Sequence, residues 1–203
     1  MLEIVVLEEE MNMTTMFVAI TGTQGSGKSV FTEIAQKKYN IPTYRMGNII
    51  VEECESRGLD INGRNMAKMA SVLRYEGGDH AIAKKSLPAL KELKKKNPKI
   101  IIIDGVRSYN ELALFKEELG NVLLVAIVAS LNVRKNRVES RKRIDVGSIY
   151  DFEEREHREL GFGLGNVITQ ADYFIHNENI SKNKFIIEIE TLIEKISKES
   201  NQD

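Results

Sequence analysis

The 203-residue chain has no tryptophan, one cysteine, three prolines and three histidines. A lone cysteine, Cys54, excludes an intramolecular disulfide framework and a multi-cysteine metal site. The histidines, His80, His157 and His176, are scattered, which argues against a histidine-rich metal centre. Charge of one sign is also missing. The 29 Lys and Arg are offset by 30 Asp and Glu, so the basic excess of a general nucleic-acid binder is absent. No apolar run approaches the roughly 18–20 residues of a membrane span. The stretch Ile4 to Leu7 is short, no basic residue precedes it, and Glu8-Glu9-Glu10 follows, so no signal peptide is expected. Residues 1–15 are read as an N-terminal extension, frayed or else an edge strand or dimer contact made by Leu2 to Leu7. A cytoplasmic protein, monomer or homodimer, is expected.

What is present is a globular composition, 42% hydrophobic and 29% charged, over a length that suits one domain. Strand-like runs alternate with helical patterns, the signature of a parallel α/β sheet. Strands are expected at Met16–Thr21, Pro42–Arg45, Ile100–Asp104, Val122–Ala129 and Tyr173–His176. Helices are expected at Lys28–Tyr39, Asn48–Arg57, Asn65–Tyr75, His80–Lys96, Tyr109–Leu119, Leu131–Arg143, Asp151–Leu160 and Ser181–Lys198. The long gap between the second and third strands implies a helical insertion at about 47–96. A lid is expected at about 137–165, hinged at Gly161, Gly163 and Gly165. The domain thus spans 16–198, and the polar end, 199–203, is expected to be a disordered tail.

Gly22-Thr23-Gln24-Gly25-Ser26-Gly27-Lys28-Ser29 satisfies G-x-x-x-x-G-K-[ST] at every fixed position. A strand runs into it and a helix, opening with Val30, leaves it. Such a loop wraps backbone N–H groups around phosphate oxygens and excludes bulky side chains, and the helix dipole favours the anion. Lys28 would reach the outer phosphates and the Ser29 hydroxyl would complete a Mg²⁺ shell. Asp104 ends the third strand, where an acid orders Mg²⁺ in phosphate-loop proteins. Its other reading is a helix cap, for which Ser108 is better placed. Arg107 sits where it can reach a phosphate beside the metal.

Leu131 to Asp145 is rich in basic residues, with Arg134, Arg137 and Arg141 along one helical face. Arg137 and Arg141 are read as phosphate contacts, because planar guanidinium groups stabilise a transferring phosphoryl group. Arg134 and Lys135 are read as a solvated face paired with the acids at 151–156. Little aromatic interleaving is present for RNA base stacking. Cys54, Met46, Met66 and Met69 are read mainly as core, the methionines also as candidate pocket residues.

These landmarks, with Met46-Gly47-Asn48, Leu73 to Gly78, Arg158 to Gly163 and Ala171 to Asn177, resemble the nucleoside monophosphate kinase superfamily, that is, adenylate kinase and dephospho-CoA kinase. They resemble most an archaeal family of adenylate kinase-related P-loop proteins. The resemblance implies a three-layer P-loop NTPase fold with a parallel sheet, a helical acceptor-binding insertion and a lid. It implies Mg²⁺-dependent phosphoryl transfer from ATP to a nucleotide or nucleotide-like small molecule, with Arg107 on the acceptor and Arg137 and Arg141 in the lid. The segment ending in Asn177 is similar to one that precedes an adenine-contacting loop in dephospho-CoA kinase. The chain departs from the superfamily at Asn48 and Val51, where an acid and an arginine are usual. Asn48 can also serve as a helix N-cap. That departure keeps a second reading open: a regulatory ATP-binding protein or ATPase that signals to a protein or RNA partner without a small-molecule acceptor.

Overall fold

The structure, a computed structural model, describes residues 15–142 and 150–200; of 141, 142, 150 and 151 it describes the backbone alone. Residues 1–14 of the extension expected at 1–15, Arg143, the side chain of Arg141 and residues 201–203 of the tail expected at 199–203 lie outside the described residues.

Five strands form one parallel sheet: β1 (Met16–Thr21), β2 (Thr43–Arg45), β3 (Ile100–Asp104), β4 (Val122–Val128) and β5 (Tyr173–His176), in the order β2-β3-β1-β4-β5. The near-continuous apolar runs of β1, β3 and β4 follow from burial on both faces. Alternate residues separate to the two sides. Phe17, Ala19, Ile101 and Ile103 enter one core cluster. Met16, Val18, Ile20, Ile100 and Ile102 enter the other.

The second cluster is roofed by α1 (Lys28–Tyr39) and α9 (Lys182–Glu199), whose Phe185, Ile189, Ile193 and Ile196 recur at helical spacing. The first is covered by α2 (Gly47–Ser56), α3 (Gly63–Gly77), α4 (Ala81–Lys94) and α5 (Tyr109–Leu119). Residues of the expected insertion, among them Ile50, Leu73, Ile82 and Leu90, thus share one core with the sheet. Cys54 is fully buried there. The remaining helices are α6 (Leu131–Lys142), α7 (Tyr150–Gly161) and α8 (Leu164–Ile168). Among the described residues no helix is long and apolar enough to cross a membrane.

Three expectations differ. The glycine-rich stretch read as a hinge opens into α8, with Gly163 in the left-handed region at its N-cap. Leu164 and Val167 of that helix are fully buried, and five residues carried too little periodicity to be seen. Asn48 does not cap α2: the helix starts one residue earlier, behind Met46, and Asn48 is exposed in its first turn. The final helix runs on through Ser197 to Glu199, into the expected tail.

β1 lies between β3 and β4; the crossover from β1 runs one way, to β2, and the crossover from β3 runs the other way, past β1 to β4, so a crevice opens at the carboxyl ends of β1 and β3. Register puts Ile20 beside Asp104, and Arg45 on the far side of Asp104. Leu164→Ala is expected to destabilise the protein by about 2–5 kcal/mol, the usual range for a large-to-small change in a packed core. Denaturant unfolding checks this; a loss near zero would mean α8 is not anchored.

Candidate functional site: a phosphate loop beside an arginine-walled cavity

The loop from Gly22 to Ser29 joins β1 to α1, and three of its residues take backbone conformations only glycine adopts readily. Gly22 has φ 140°, and a Cβ there would collide with the Ile127 carbonyl. Gly27, φ 117°, is the N-cap of α1, and a Cβ there would stand 2.5 Å from Asn177 Nδ2. Lys28 folds back over the loop, donating from Nζ to the carbonyls of Gly22 and Thr23 (3.0 Å to the latter). Ser26 Oγ and Gln24 Oε1 are buried without a hydrogen-bond partner, as expected of a cradle whose ligand supplies part of the bonding.

In front of the loop lies a cavity of about 410 Å³. Gln24, Lys28, Ser29 and Asp104 line its loop side; Arg45, Arg74, Arg107 and Arg155 line the rest, over an apolar floor that includes Met46, Ile50, Ile82 and Val138. Asp104 is free to face it because Ser108 caps α5, in a capping box with Glu111. Ser29 and Asp104 are hard oxygen donors. Among the described residues no cluster of three His, Cys, Asp or Glu could hold a metal. Oxygen donors of the kind that Ser29 and Asp104 offer fit Mg²⁺, which keeps several waters and takes one or two carboxylates together with substrate phosphates.

Two buried carboxylates hold the arginines. Glu111, fully buried, accepts from Arg74 Nη2 at 2.6 Å and from the Arg107 and Ser108 amides at 2.7 and 3.2 Å. Arg74 also donates to the Ala70 carbonyl and lies 4.2 Å over the Phe162 ring, while its buried Nε has no partner. Glu159, 2% exposed, accepts from Arg155 Nε at 2.7 Å and pairs with Arg107 Nη1 at 3.1 Å. Burial pushes the Glu159 carboxyl up, but Arg107 and Arg155 outweigh it and hold the group below its ordinary value. One carboxylate is thus shared by two guanidinium groups, leaving the wall short of negative charge. Among the described residues Asp104 pairs with Arg45, at 3.6 Å.

The basic segment behaves differently from its sequence reading. Lys135 pairs with Glu153 at 2.9 Å as expected. Arg134 pairs with Glu156, but it is not solvated: it is 5% exposed and donates through three nitrogens. Its position behind the loop, over Phe152, buries it. Arg137, read as a phosphate contact, donates to the carbonyls of Gly25 (3.4 Å) and Asn177 (2.8 Å), and the next residue, Val138, is the one that lines the cavity. Arg141 lies outside the described side chains. Neither Asn48 nor Val51 lines the cavity; Gly47 and Ile50 do. Sequence reasoning missed Arg45, Arg155 and the counter-ion role of Glu159. The i, i+4 spacing of Arg155 and Glu159 was a visible signal, but such a spacing usually marks a solvated surface pair.

Residues 21–157 match the family described as AAA domain. The chain also has the fold of P-loop kinases. A shikimate kinase from Bacteroides thetaiotaomicron superposes with a TM-score of 0.54 at 15% identity, covering 89% of this chain and 97% of that one. A dephospho-CoA kinase from Campylobacter jejuni superposes with a TM-score of 0.54 at 17% identity, covering 90% and 97%. Within that class the chain belongs to the UPF0200 family. It is 38% identical over 184 residues to the UPF0200 protein of Thermococcus onnurineus, which covers 89% of this chain and 98% of the relative. It is 37% identical over 183 residues to that of Hyperthermus butylicus, covering 90% and 95%.

Burial lowers Lys28 from an ordinary 10.5 to about 8, with Glu159 and Asp104 acting the other way. Between those values the folded state binds fewer protons than the unfolded one, so this residue penalises folding below about pH 8 and the penalty fades as pH rises. A polyphosphate beside the ammonium favours its charged form. Binding of Mg·ATP or tripolyphosphate should therefore take up protons near pH 8 and weaken above it, by at most about tenfold per pH unit. Titration calorimetry in buffers of different ionisation enthalpy measures this. Lys28→Met should remove the proton uptake and most of the affinity; a wild-type affinity flat from pH 7 to 10 would overturn the assignment.

Proposed function

We propose that the protein is a Mg²⁺-dependent kinase that transfers the γ-phosphoryl group of ATP to a small nucleotide or nucleotide-like acceptor of the adenylate kinase or dephospho-CoA kinase type. The observation that carries this is the single cavity with two unlike ends: a phosphate loop with Lys28, Ser29 and Asp104, and beside it Arg74, Arg107 and Arg155 over an apolar floor. A hydrolase that activated only water would have no use for the second end. The three guanidinium groups suit an acceptor that carries its own anionic group.

In this reading Gly22 to Val30 cradle the donor phosphates and Lys28 leaves the loop carbonyls to neutralise the outer ones. Ser29 and Asp104 hold Mg²⁺. The ion, when bound, neutralises charge on the outer phosphate oxygens. Arg107 and Arg155, both shared with Glu159, turn toward the acceptor anion and the transferring group. Arg74 offers its unpartnered Nε from a fixed platform of Glu111 and Phe162. Catalysis then consists of positioning and charge stabilisation.

The test is incubation with Mg·ATP and AMP, CMP, GMP, UMP or dephospho-CoA, with separation of phosphorylated acceptor from free phosphate. A stoichiometric phosphorylated acceptor supports the kinase. Phosphate release alone, unaltered by any acceptor, would favour the regulatory ATPase. For an acceptor found in this way, Arg107→Ala should weaken acceptor affinity about ten- to a hundredfold, the equivalent of one charge-assisted hydrogen bond. Mg·ATP affinity should stay within about twofold. An equal loss of both would move Arg107 to the donor side.

A further inference from the structure

Every carbonyl of the phosphate loop has a donor. Lys28 serves Gly22 and Thr23; Arg134 Nη1 donates to Gln24 at 3.2 Å; Arg137 Nη1 donates to Gly25; Asn177 Nδ2 donates to Ser26 at 2.7 Å. The Gly27 carbonyl accepts from the Val30 amide within α1. Three of these donors come from outside the loop and its helix, from α6 and from the end of β5. They are linked to one another. Arg137 Nη2 donates to both the carbonyl and Oδ1 of Asn177, at 2.8 and 3.3 Å. Asn177 is itself 7% exposed, and its amide is fixed to the Val128 carbonyl at the end of β4. Arg134 is gripped by both oxygens of Glu156 on α7.

We propose that Arg134, Arg137 and Asn177 are positioning residues that clasp the phosphate loop from behind, fixing its carbonyls outward so that the Gly25 and Gly27 N–H groups are preset for phosphate. The C=O of one residue and the N–H of the next point in opposite directions across a planar peptide. Holding the Gln24 and Ser26 carbonyls toward α6 and β5 therefore turns the Gly25 and Gly27 amides the other way. Preset amides need no reordering when the anion arrives, and ordering of groups is among the main costs of binding. This gives the basic helix a task other than touching the transferring phosphoryl group, and gives Asn177 a task at the phosphate loop itself. It rests on the nucleotide-binding reading above.

Asn177→Ala is the cleanest probe because it changes no charge. Tripolyphosphate, which has no base or sugar, separates the loop from the rest of the nucleotide site. Relative to wild type, Asn177→Ala should weaken Mg·ATP and tripolyphosphate by the same factor, about three- to tenfold, measured well below its melting temperature. Arg137→Lys keeps the charge but cannot reach Gly25 and Asn177 together. It should weaken tripolyphosphate similarly, and the double variant should be little worse than either single one. If Asn177→Ala fails to fold, the Arg137→Lys result decides. A loss for ATP with tripolyphosphate unchanged would assign Asn177 to the base and overturn the clasp. So would lower melting temperatures with both affinities unchanged, or a fully retained affinity in Arg137→Lys. A wild-type protein that binds neither probe would overturn the kinase reading as well.

Discussion

A loop that offers its N–H groups to an anion must find partners for its carbonyls, and in this chain that constraint ties distant segments together. The donors to Gln24, Gly25 and Ser26 lie more than a hundred residues downstream. They reach the loop because β4 lies next to β1 and β5 next to β4, so that α6, following β4, and Asn177, following β5, arrive behind the same turn. Buried backbone groups left unpaired are costly, which makes these contacts structural before they are functional. The burial of Arg134 follows from the same need, and its charge is met by Glu156.

In front of the loop the governing term is charge. Four arginines and Lys28 line one cavity, with Asp104 as the acid in its wall and Glu111 and Glu159 behind it. Removing one partner of such a buried pair typically costs about 3–5 kcal/mol, so the carboxylates fix where the guanidinium groups stand. Because Glu159 belongs to α7 and Arg107 follows β3, their pairing also joins α7 to the strand that ends in Asp104. A polyanion brings the charge that this wall lacks. The fold is shared with shikimate and dephospho-CoA kinases, while what the cavity binds is a matter of its own side chains.

The sequence by itself determined the parallel sheet and the loop. The runs at Met16–Thr21, Ile100–Asp104 and Tyr173–His176 and the helix at Lys28–Tyr39 fall where their patterns put them. Fully buried strands and long amphipathic helices carry a local signal, and glycines at fixed offsets state a backbone requirement directly. Tertiary structure decided the rest. That Arg134 is buried, that Arg137 serves a carbonyl, that Glu159 gathers two arginines and that Leu164 anchors a five-residue helix all depend on contacts far apart in the chain. A charged residue at helical spacing reads the same in solvent or in a wall. Only the packing of α6 and α7 against the loop and cavity fixes which it is.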